Sequence, residues 1–162
     1  MRIIGVDPGL AITGYGIVDY RGNSFSPVAY GCIRSSTGEP LYQRLKTIYD
    51  QLANLLTDYR PDCMAIEELF FNRNVSTAIA VGQARGVLLL AAAQTGIEVF
   101  EYTPLQVKQA VAGFGRAEKQ QVQYMVRVIM NLSEVPRPDD VADALAISIC
   151  HANNQSGLGA FL

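Results

Sequence analysis

Four acidic positions in three separated segments have the residue types and the placement of a phosphoryl-transfer site. Asp7 ends the apolar run IIGVD, just before a Pro-Gly turn, and Glu67 and Glu68 end a second apolar run, MAIEE. Asp140 and Asp143 lie three residues apart in DDVADALAIS, so on a helix they share one face. A charged carboxylate at the end of a buried strand is costly unless it is neutralised, paired or bound to a metal.

Carboxylates crowded in this way predict a divalent metal site. Their repulsion raises their pKa values unless a cation compensates, and oxygen ligands without histidine or cysteine suit Mg²⁺ or Mn²⁺. Two such ions about 4 Å apart would hold a phosphate, activate a water molecule and stabilise the leaving oxygen. The residues alone leave ordinary alternatives open: Asp7 as a turn residue, Asp139 or Asp140 as a helix N-cap, and either Glu67 or Glu68 as the strand-end acid.

The elements that must bring these carboxylates together follow from the apolar periodicity, which predicts five strands and five helices. The strands are expected at 2–7, 12–20, 24–33, 62–67 and 97–102. The helices are expected at 41–59, from Asn74 or Ser76 to about Gln94, from Thr103 to Gly113, in RAEKQQVQYMVRVIMNL, and from Pro138 or Asp139 onward. The turn YRGNS makes the second and third strands antiparallel, so the order predicts an α/β fold with one five-stranded mixed sheet flanked by helices.

Length and composition predict one globular domain. The chain has 162 residues, 49% hydrophobic and 17% charged, which suits a packed core rather than a disordered chain. We expect the domain at 1–152 and a mobile tail at 153–162, where the sequence loses its period. The start MRIIGVD lacks the zones of a signal peptide, and the expected location is the cytoplasm.

The segment STAIAVGQARGVLLLAAAQTG is long and apolar enough to require a choice between a membrane span and a core helix. Gln83 and Arg85 lie in its middle, where a bilayer would penalise them. We therefore predict a buried helix of a protein without a membrane anchor, in which Gly82 and Gly86 allow close packing.

The cysteines and the charge exclude several classes of function. Three cysteines without a C-x-x-C pair argue against a disulfide framework and a zinc site. Cys150 and His151 are adjacent on a helix and do not face each other, so we expect a core thiol beside a surface histidine. The net charge is −2. If four of the fifteen acidic residues lie together in one site, the rest of the chain has thirteen basic and eleven acidic residues. Any nucleic-acid surface must therefore be local.

Four segments together resemble the bacterial RuvC-type Holliday-junction resolvases across residues 1–151. They are IIGVDPGLAITGYGIV, AIEELFFNRNVSTAIAVGQARGVLLLAA, VFEYTPLQVKQAVAGFGRAEKQQV and DDVADALAIS. The resemblance implies a ribonuclease-H-like fold, a homodimer, and a two-metal site for Mg²⁺, with Mn²⁺ as a substitute. It implies cutting of four-way DNA junctions by two symmetric nicks that leave 5′-phosphate and 3′-hydroxyl ends, in recombination and repair. The family works with the branch-migration proteins RuvA and RuvB.

The same resemblance implies which residues form the catalytic centre. It selects Asp7, Glu67, Asp140 and Asp143 as the catalytic metal ligands, and so Glu67 over Glu68. Because Gly5 and Gly9 flank Asp7 without bulk, they would let metal and phosphate approach, with packing against another strand as the alternative.

Basic and aromatic residues of the matched segments are the expected DNA contacts. Lys108 and Lys119 would act on the scissile phosphate, although a solvated helix face is the ordinary alternative. Phe70, rather than Phe71, would stack on an unpaired base near the crossover. The looser candidates for contact with the DNA backbone are Arg73, Arg85, Arg116 and Arg127. The helix from Val75 to Gln94 matches the helix by which the family dimerises.

Three other functions compete with a junction resolvase. A nuclease for RNA–DNA hybrids would share the carboxylates. An ATP-binding domain related to actin and sugar kinases would share the hairpin VDPGLAITGYGIVD, but those proteins use two such domains. A scaffold that binds junctions without cutting them would not need Asp7.

Overall fold

The structure is a computed structural model that describes residues 1–69 and 75–155. The strands are β1 (Arg2–Asp7), β2 (Ile12–Arg21), β3 (Ser24–Arg34), β4 (Cys63–Glu67) and β5 (Glu98–Tyr102). The helices are α1 (Leu41–Tyr59), α2 (Val75–Thr95), α3 (Pro104–Ala112), α4 (Lys119–Ile129) and α5 (Asp139–Gln155). Phe70, Phe71, Arg73 and the Asn74 cap lie outside the described residues, so the expectations for them stay predictions.

The five strands form one mixed sheet in the order β3-β2-β1-β4-β5. β1 pairs antiparallel with β2, and β2 antiparallel with β3, whereas β4 is parallel to both β1 and β5. This confirms the predicted five-stranded mixed sheet and the antiparallel hairpin. β1 lies at the centre, as its burial on both faces requires.

Strand alternation divides the core between the two faces of the sheet. Ile3 and Ala65 belong to a buried cluster completed by α3, α4 and α5, whereas Ile4 and Ile66 belong to one completed by α1 and α2. Because side chains alternate along a strand, the residues in register with Ile3 and Ala65 also face α5.

Helix α5 lies directly against β1 and β2 because glycines leave room for its backbone. A Cβ atom at Gly5 would lie 2.1 Å from the carbonyl oxygen of Ala144, and the Ser148 hydroxyl donates to the carbonyl of Gly16 at 3.0 Å. A Cβ at Gly9 would meet the carbonyl of Ile12 at 2.2 Å. Gly5 and Gly9 therefore each accommodate the protein's own backbone, which favours the packing alternative over room for metal and phosphate.

Helix boundaries agree with the predictions where a clear cap exists and differ where the cap was overlooked. Thr103 and Gly113 cap α3 as expected. α4 begins at Lys119 rather than near Arg116, because the Glu118 backbone amide donates to the Gln121 side chain and starts the helix there. α5 continues to Gln155, three residues into the predicted tail, and Asn153 donates to the carbonyl of Ala110 at 3.1 Å.

His151 is a core residue, so the expectation of a surface histidine is wrong. Its side chain is 1% exposed and lies 3.1 Å from Cys63 Sγ through Nε2 and 2.8 Å from the Tyr102 hydroxyl through Nδ1. Burial lowers its pKa. The ring thereby joins the end of α5 to β4 and β5.

Helix α2 is less covered than a core helix. Only five of the twenty residues from Ser76 to Thr95 are buried. By length and composition this helix would also suit a membrane. A Cβ at Gly86 would meet no atom within 4 Å, and one at Gly82 would have only ordinary contact with Leu69. The prediction of a buried helix with close-packed glycines is therefore wrong for the single chain, which leaves one face of α2 open.

Candidate active site

Asp7 and Glu67 are placed side by side by the register of the two central parallel strands. Val6 pairs with Ile66, so both acidic residues follow this pair by one position at the C-terminal ends of β1 and β4. Asp7 and Glu67 lie two residues after Gly5 and Ala65, so they share with them the face of the sheet that packs against α5. Such strand ends are where open α/β sheets present their sites.

Helix α5 brings the second pair of acids over the same edge. Its first turn lies on β2, because a Cβ at Gly14 would be 1.9 Å from the carbonyl oxygen of Asp140. Gly14 is the register partner of Asp7, so Asp140 and Asp143 are delivered beside the end of β1.

These elements enclose a cavity of about 220 Å³ with a strongly charged lining. Asp7, Glu67 and Asp143 contribute carboxylates, and Lys108 and Lys119 contribute ammonium groups. The apolar part of the lining is Pro104, Val107, Val122 and Ala146. Three of the four predicted acidic residues and both predicted lysines therefore line one pocket, formed by residues up to 139 positions apart in the chain.

Asp140 does not line this cavity, but its charge acts on the site. Burial first, and then the charges of Asp143, Glu67 and Asp140, together raise the pKa of Asp7 to about 8, against the opposing charge of Lys119. A carboxyl group with this pKa is largely protonated at neutral pH in the absence of a cation. The four acids therefore form one electrostatic unit.

The other two carboxyl groups in the cavity have shifted pKa values for the same reasons. Burial and then the Asp143 charge raise the pKa of Glu67, against the charges of Lys108 and Lys119. Burial also raises the pKa of Asp143, although a hydrogen bond from Lys119 opposes the shift. Burial, reinforced by neighbouring negative charge, thus raises the pKa of all three carboxyl groups in the cavity.

The carboxylates are not gathered as they would be around an ion. Within residues 1–69 and 75–155, no group of three or more histidine, cysteine, aspartate or glutamate side chains is arranged to hold a metal ion. Instead Lys119 Nζ lies 3.1 Å from Asp143 Oδ2 and 3.5 Å from Asp139 Oδ2. A lysine ammonium therefore supplies part of the missing positive charge.

The donor set nonetheless suits a divalent cation. It consists of carboxylate oxygens, which are the ligands of Mg²⁺ and Mn²⁺, and a metal charge would reverse the raised pKa values that burial and repulsion produce. Asp143 would exchange Lys119 for the ion, and Asp139 already offers that lysine a second partner.

The predicted arginines lie in three different environments. Arg116 is exposed in the loop before α4. Arg85 is bound within the protein, with Nη2 2.5 Å from Glu101 Oε2 and Nε donating to the Glu67 carbonyl at 3.3 Å. Arg127 lines a separate cavity of about 240 Å³ on α4, and its buried Nε has no hydrogen-bond partner.

Two acidic residues that the sequence does not indicate as ion-pair partners contact the predicted basic residues. Asp139 pairs with Lys119 and with Arg137, and Glu101 pairs with Arg85. The position of Asp139 in the first turn of α5 is visible in the sequence, but by itself it indicates only a helix cap. The position of Glu101 gives no indication of its contact, since its partner is sixteen residues away on a helix.

Known proteins match this chain over nearly its whole length. The family model of crossover junction endodeoxyribonuclease RuvC matches residues 3–151. A protein of that name from Desulforamulus reducens is 57% identical over 98% of this chain and 98% of its own. One from Pelotomaculum thermopropionicum is 64% identical over 95% of this chain and 94% of its own.

Solved structures agree with these sequence matches. T. thermophilus RuvC in complex with Holliday junction substrate superposes with a TM-score of 0.92 at 40% identity, over 96% of this chain and 94% of that one. The yeast mitochondrial Holliday junction resolvase shares the fold alone, with a TM-score of 0.67 at 14% identity over 99% and 82% of the two chains. The predicted ribonuclease-H-like fold is confirmed. The chain belongs to the RuvC family of crossover junction endodeoxyribonucleases.

Proposed function

We propose that this crossover junction endodeoxyribonuclease cleaves DNA at the cavity between β1, β4 and α5. The observation that carries the proposal is the lining of that cavity, in which Asp7, Glu67 and Asp143 meet Lys108 and Lys119. Acidic groups that need a cation and basic groups that suit a phosphate are both required for phosphodiester hydrolysis.

The family is one of metal-dependent nucleases, and for this chain we infer two Mg²⁺ ions, replaceable by Mn²⁺. Asp7, Glu67, Asp140 and Asp143 would hold them. When bound, such ions supply positive charge that activates water as a nucleophile and stabilises the leaving oxygen. The raised pKa of Asp7 means that this residue must lose a proton when it takes up its ligand role.

The two lysines have distinct tasks in this proposal. Lys119 neutralises Asp143 before the cation arrives, and once released it is held near the cavity by Asp139. There its ammonium group stabilises negative charge that develops on the phosphate. Lys108, on the opposite helix of the cavity, orients a non-bridging phosphate oxygen.

A four-way DNA junction is the proposed substrate, cut by two symmetric nicks that leave 5′-phosphate and 3′-hydroxyl ends. The T. thermophilus relative is described in complex with a Holliday junction. Arg116, exposed before α4, is well placed for the DNA backbone, and Arg73 and Phe70 keep their predicted roles as a backbone contact and a base-stacking residue.

The open face of α2 is the proposed homodimer interface. Ile79 is 56% exposed and Leu90 50% exposed on a helix that has little charge. Covering this face with a second copy would bury both side chains, and a two-fold axis would place two cavities on symmetric strands of one junction. A protein interface also accounts for the apolar character of α2 without a membrane, in keeping with a cytoplasmic enzyme that works beside RuvA and RuvB.

A cleavage assay with three substrates tests the proposed function. Purified protein with Mg²⁺ is incubated with a synthetic four-way junction, a duplex of the same sequence and an RNA–DNA hybrid. We expect paired nicks in the junction, little cutting of the others, and nearly complete loss of cleavage with retained binding for Asp7→Asn. Preference for the hybrid, or junction cleavage that is unchanged in Asp7→Asn, would contradict the proposal.

A further inference from the structure

Arg85 connects three elements of the fold at the edge of the active site. Its side chain, on α2, is only 15% exposed. Nε donates to the carbonyl oxygen of Glu67 at 3.3 Å, and Nη2 lies 2.5 Å from Glu101 Oε2 on β5. One guanidinium group thus bridges α2, β4 and β5.

The backbone that Arg85 holds is that of a proposed metal ligand. Glu67 is the last residue of β4, where the ladder with β5 ends at the pair Glu67 and Tyr102. Beyond this pair, the Glu68 amide donates to the Tyr102 carbonyl at 2.8 Å. The peptide group between Glu67 and Glu68 is therefore held on both sides, by its amide on Tyr102 and by the charged Arg85 donor on its carbonyl, which restricts the direction in which the Glu67 side chain leaves the strand.

Glu101 pairs with the Arg85 guanidinium and neutralises its charge. It is the register partner of Ile66, the residue before Glu67, so its carboxylate lies beside the end of β4. An arginine paired with a carboxylate and largely covered has little capacity left for a DNA phosphate. This differs from Arg116, whose side chain is exposed.

We propose that Arg85 is a positioning residue for Glu67, held in place by Glu101, rather than a contact to DNA. The inference rests on the proposed function, because it assumes that Glu67 is a metal ligand. Outer partners of metal ligands typically contribute about 10- to 100-fold in metal affinity or activity. It also links helix α2 to the catalytic strand through one side chain.

Neutralising Glu101 separates the two roles of Arg85. If Arg85 positions Glu67, Glu101→Gln loosens the guanidinium and has the same effect as Arg85→Gln. If Arg85 contacts DNA, Glu101→Gln frees a cation and removes a negative charge near the substrate, so junction binding tightens. Glu98→Gln is the matched control, since Glu98 is an acidic residue at the other end of the same strand.

The experiment compares these variants by three measurements: Mn²⁺ affinity by calorimetry without DNA, junction affinity in EDTA, and single-turnover cleavage at saturating Mn²⁺. For Arg85→Gln and Glu101→Gln we expect Mn²⁺ affinity and cleavage to fall by about tenfold or more. Junction affinity should change less than about twofold, and the double variant should be no worse than Arg85→Gln alone. Arg85→Lys should restore only part of the loss, because an ammonium group cannot bridge both partners at once.

Each remaining outcome overturns a stated part of the inference. Tighter junction binding with normal cleavage in Glu101→Gln would make Arg85 a DNA contact. A lower melting temperature with unchanged Mn²⁺ affinity would make the bridge merely structural. Glu67→Gln is the reference variant. If Glu67→Gln leaves Mn²⁺ affinity unchanged, the proposed function fails. If Glu67→Gln lowers Mn²⁺ affinity but the Arg85 and Glu101 variants do not, only the present inference fails.

Discussion

Asp7 occupies the most demanding environment in the site, since it is buried and faces three other carboxylates. Its pKa of about 8 in the folded protein compares with an ordinary value of 3.8. Between these values the folded protein holds a proton that the unfolded chain releases, so the stability that this proton provides is lost as the pH rises through that window.

The first prediction concerns the pH dependence of the metal-free enzyme. In EDTA, the melting temperature should fall between about pH 5 and about pH 8, and Asp7→Asn should remove much of that fall. At about pH 8 the variant should melt higher than the unmodified protein, although its cleavage is nearly lost. Thermal unfolding at several pH values measures this, with Asp58→Asn, at an exposed position of α1, as the control for a lost charge. Equal pH slopes for Asp7→Asn and the unmodified protein would show that Asp7 is not the titrating group.

The sequence predicts the acidic residues of the site better than it predicts the contacts around them. Asp7 and Glu67 end apolar runs, and a period of two in a strand places such residues on a definite face. The bridge from Arg85 to Glu101 joins residues of α2 and β5, and depends on how a helix is seated on a strand. No local periodicity in the sequence predicts the contact between Arg85 and Glu101. From the sequence, Arg85 is therefore only a candidate contact to the DNA backbone.

Helix α5 is the element on which the geometry of the site depends. It carries Asp140 and Asp143, and its approach to β1 and β2 is set by Gly5, Gly14 and Gly16. A methyl group added at Gly5 would lie 2.1 Å from the Ala144 carbonyl, which is backbone and cannot move alone. The helix would have to shift away from the sheet.

We therefore predict that Gly5→Ala destabilises the protein by about 3 kcal/mol. Because the shift also moves both aspartates, cleavage should fall by more than the loss of folded protein explains. Urea unfolding and Mg²⁺ titration of activity measure the two effects. Gly38→Ala is the control, since its nearest neighbour is the Ser36 hydroxyl at 3.8 Å. A Gly5→Ala enzyme with unchanged stability and activity would refute the assigned role of this close approach.

Element boundaries were predictable where the cap has a familiar form. Thr103, Pro104 and Gly113 delimit α3 as expected. Arg116, Ala117 and Glu118 are good helix formers, so the sequence predicts α4 from Arg116, whereas the cap at Glu118 starts the helix at Lys119. His151 was misjudged for a related reason: α5 is buried almost all round, so a polar residue there is not a surface signal.

The whole molecule has two unequal faces, one closed around the active site and one left open along α2. The closed face includes α5 and the cavity, and the open face presents Ile79 and Leu90. Composition could not distinguish a core helix from an interface helix, because both are apolar and tolerate few charges. Only the fold shows which face of α2 its own chain covers.

The proposed dimer predicts that a charge on the open face of α2 changes the oligomeric state. Leu90→Glu should convert the protein to a monomer, because a second copy would have to bury the new charge. The monomer should still bind Mn²⁺, but paired nicking of a junction should give way to single nicks. Light scattering and a plasmid cruciform assay measure these outcomes. Tyr42→Glu, which adds the same charge to α1, is the control, and an unchanged oligomeric state in Leu90→Glu would place the interface elsewhere.

The most direct test of the account is anomalous diffraction from crystals of the protein soaked in Mn²⁺. We predict two manganese peaks at the cavity, with oxygen atoms of Asp7, Glu67, Asp140 and Asp143 as ligands and Lys119 moved from Asp143 to Asp139. Manganese bound away from these oxygen atoms, or no manganese at a concentration that supports cleavage, would contradict the claim that the four carboxylates form the catalytic centre.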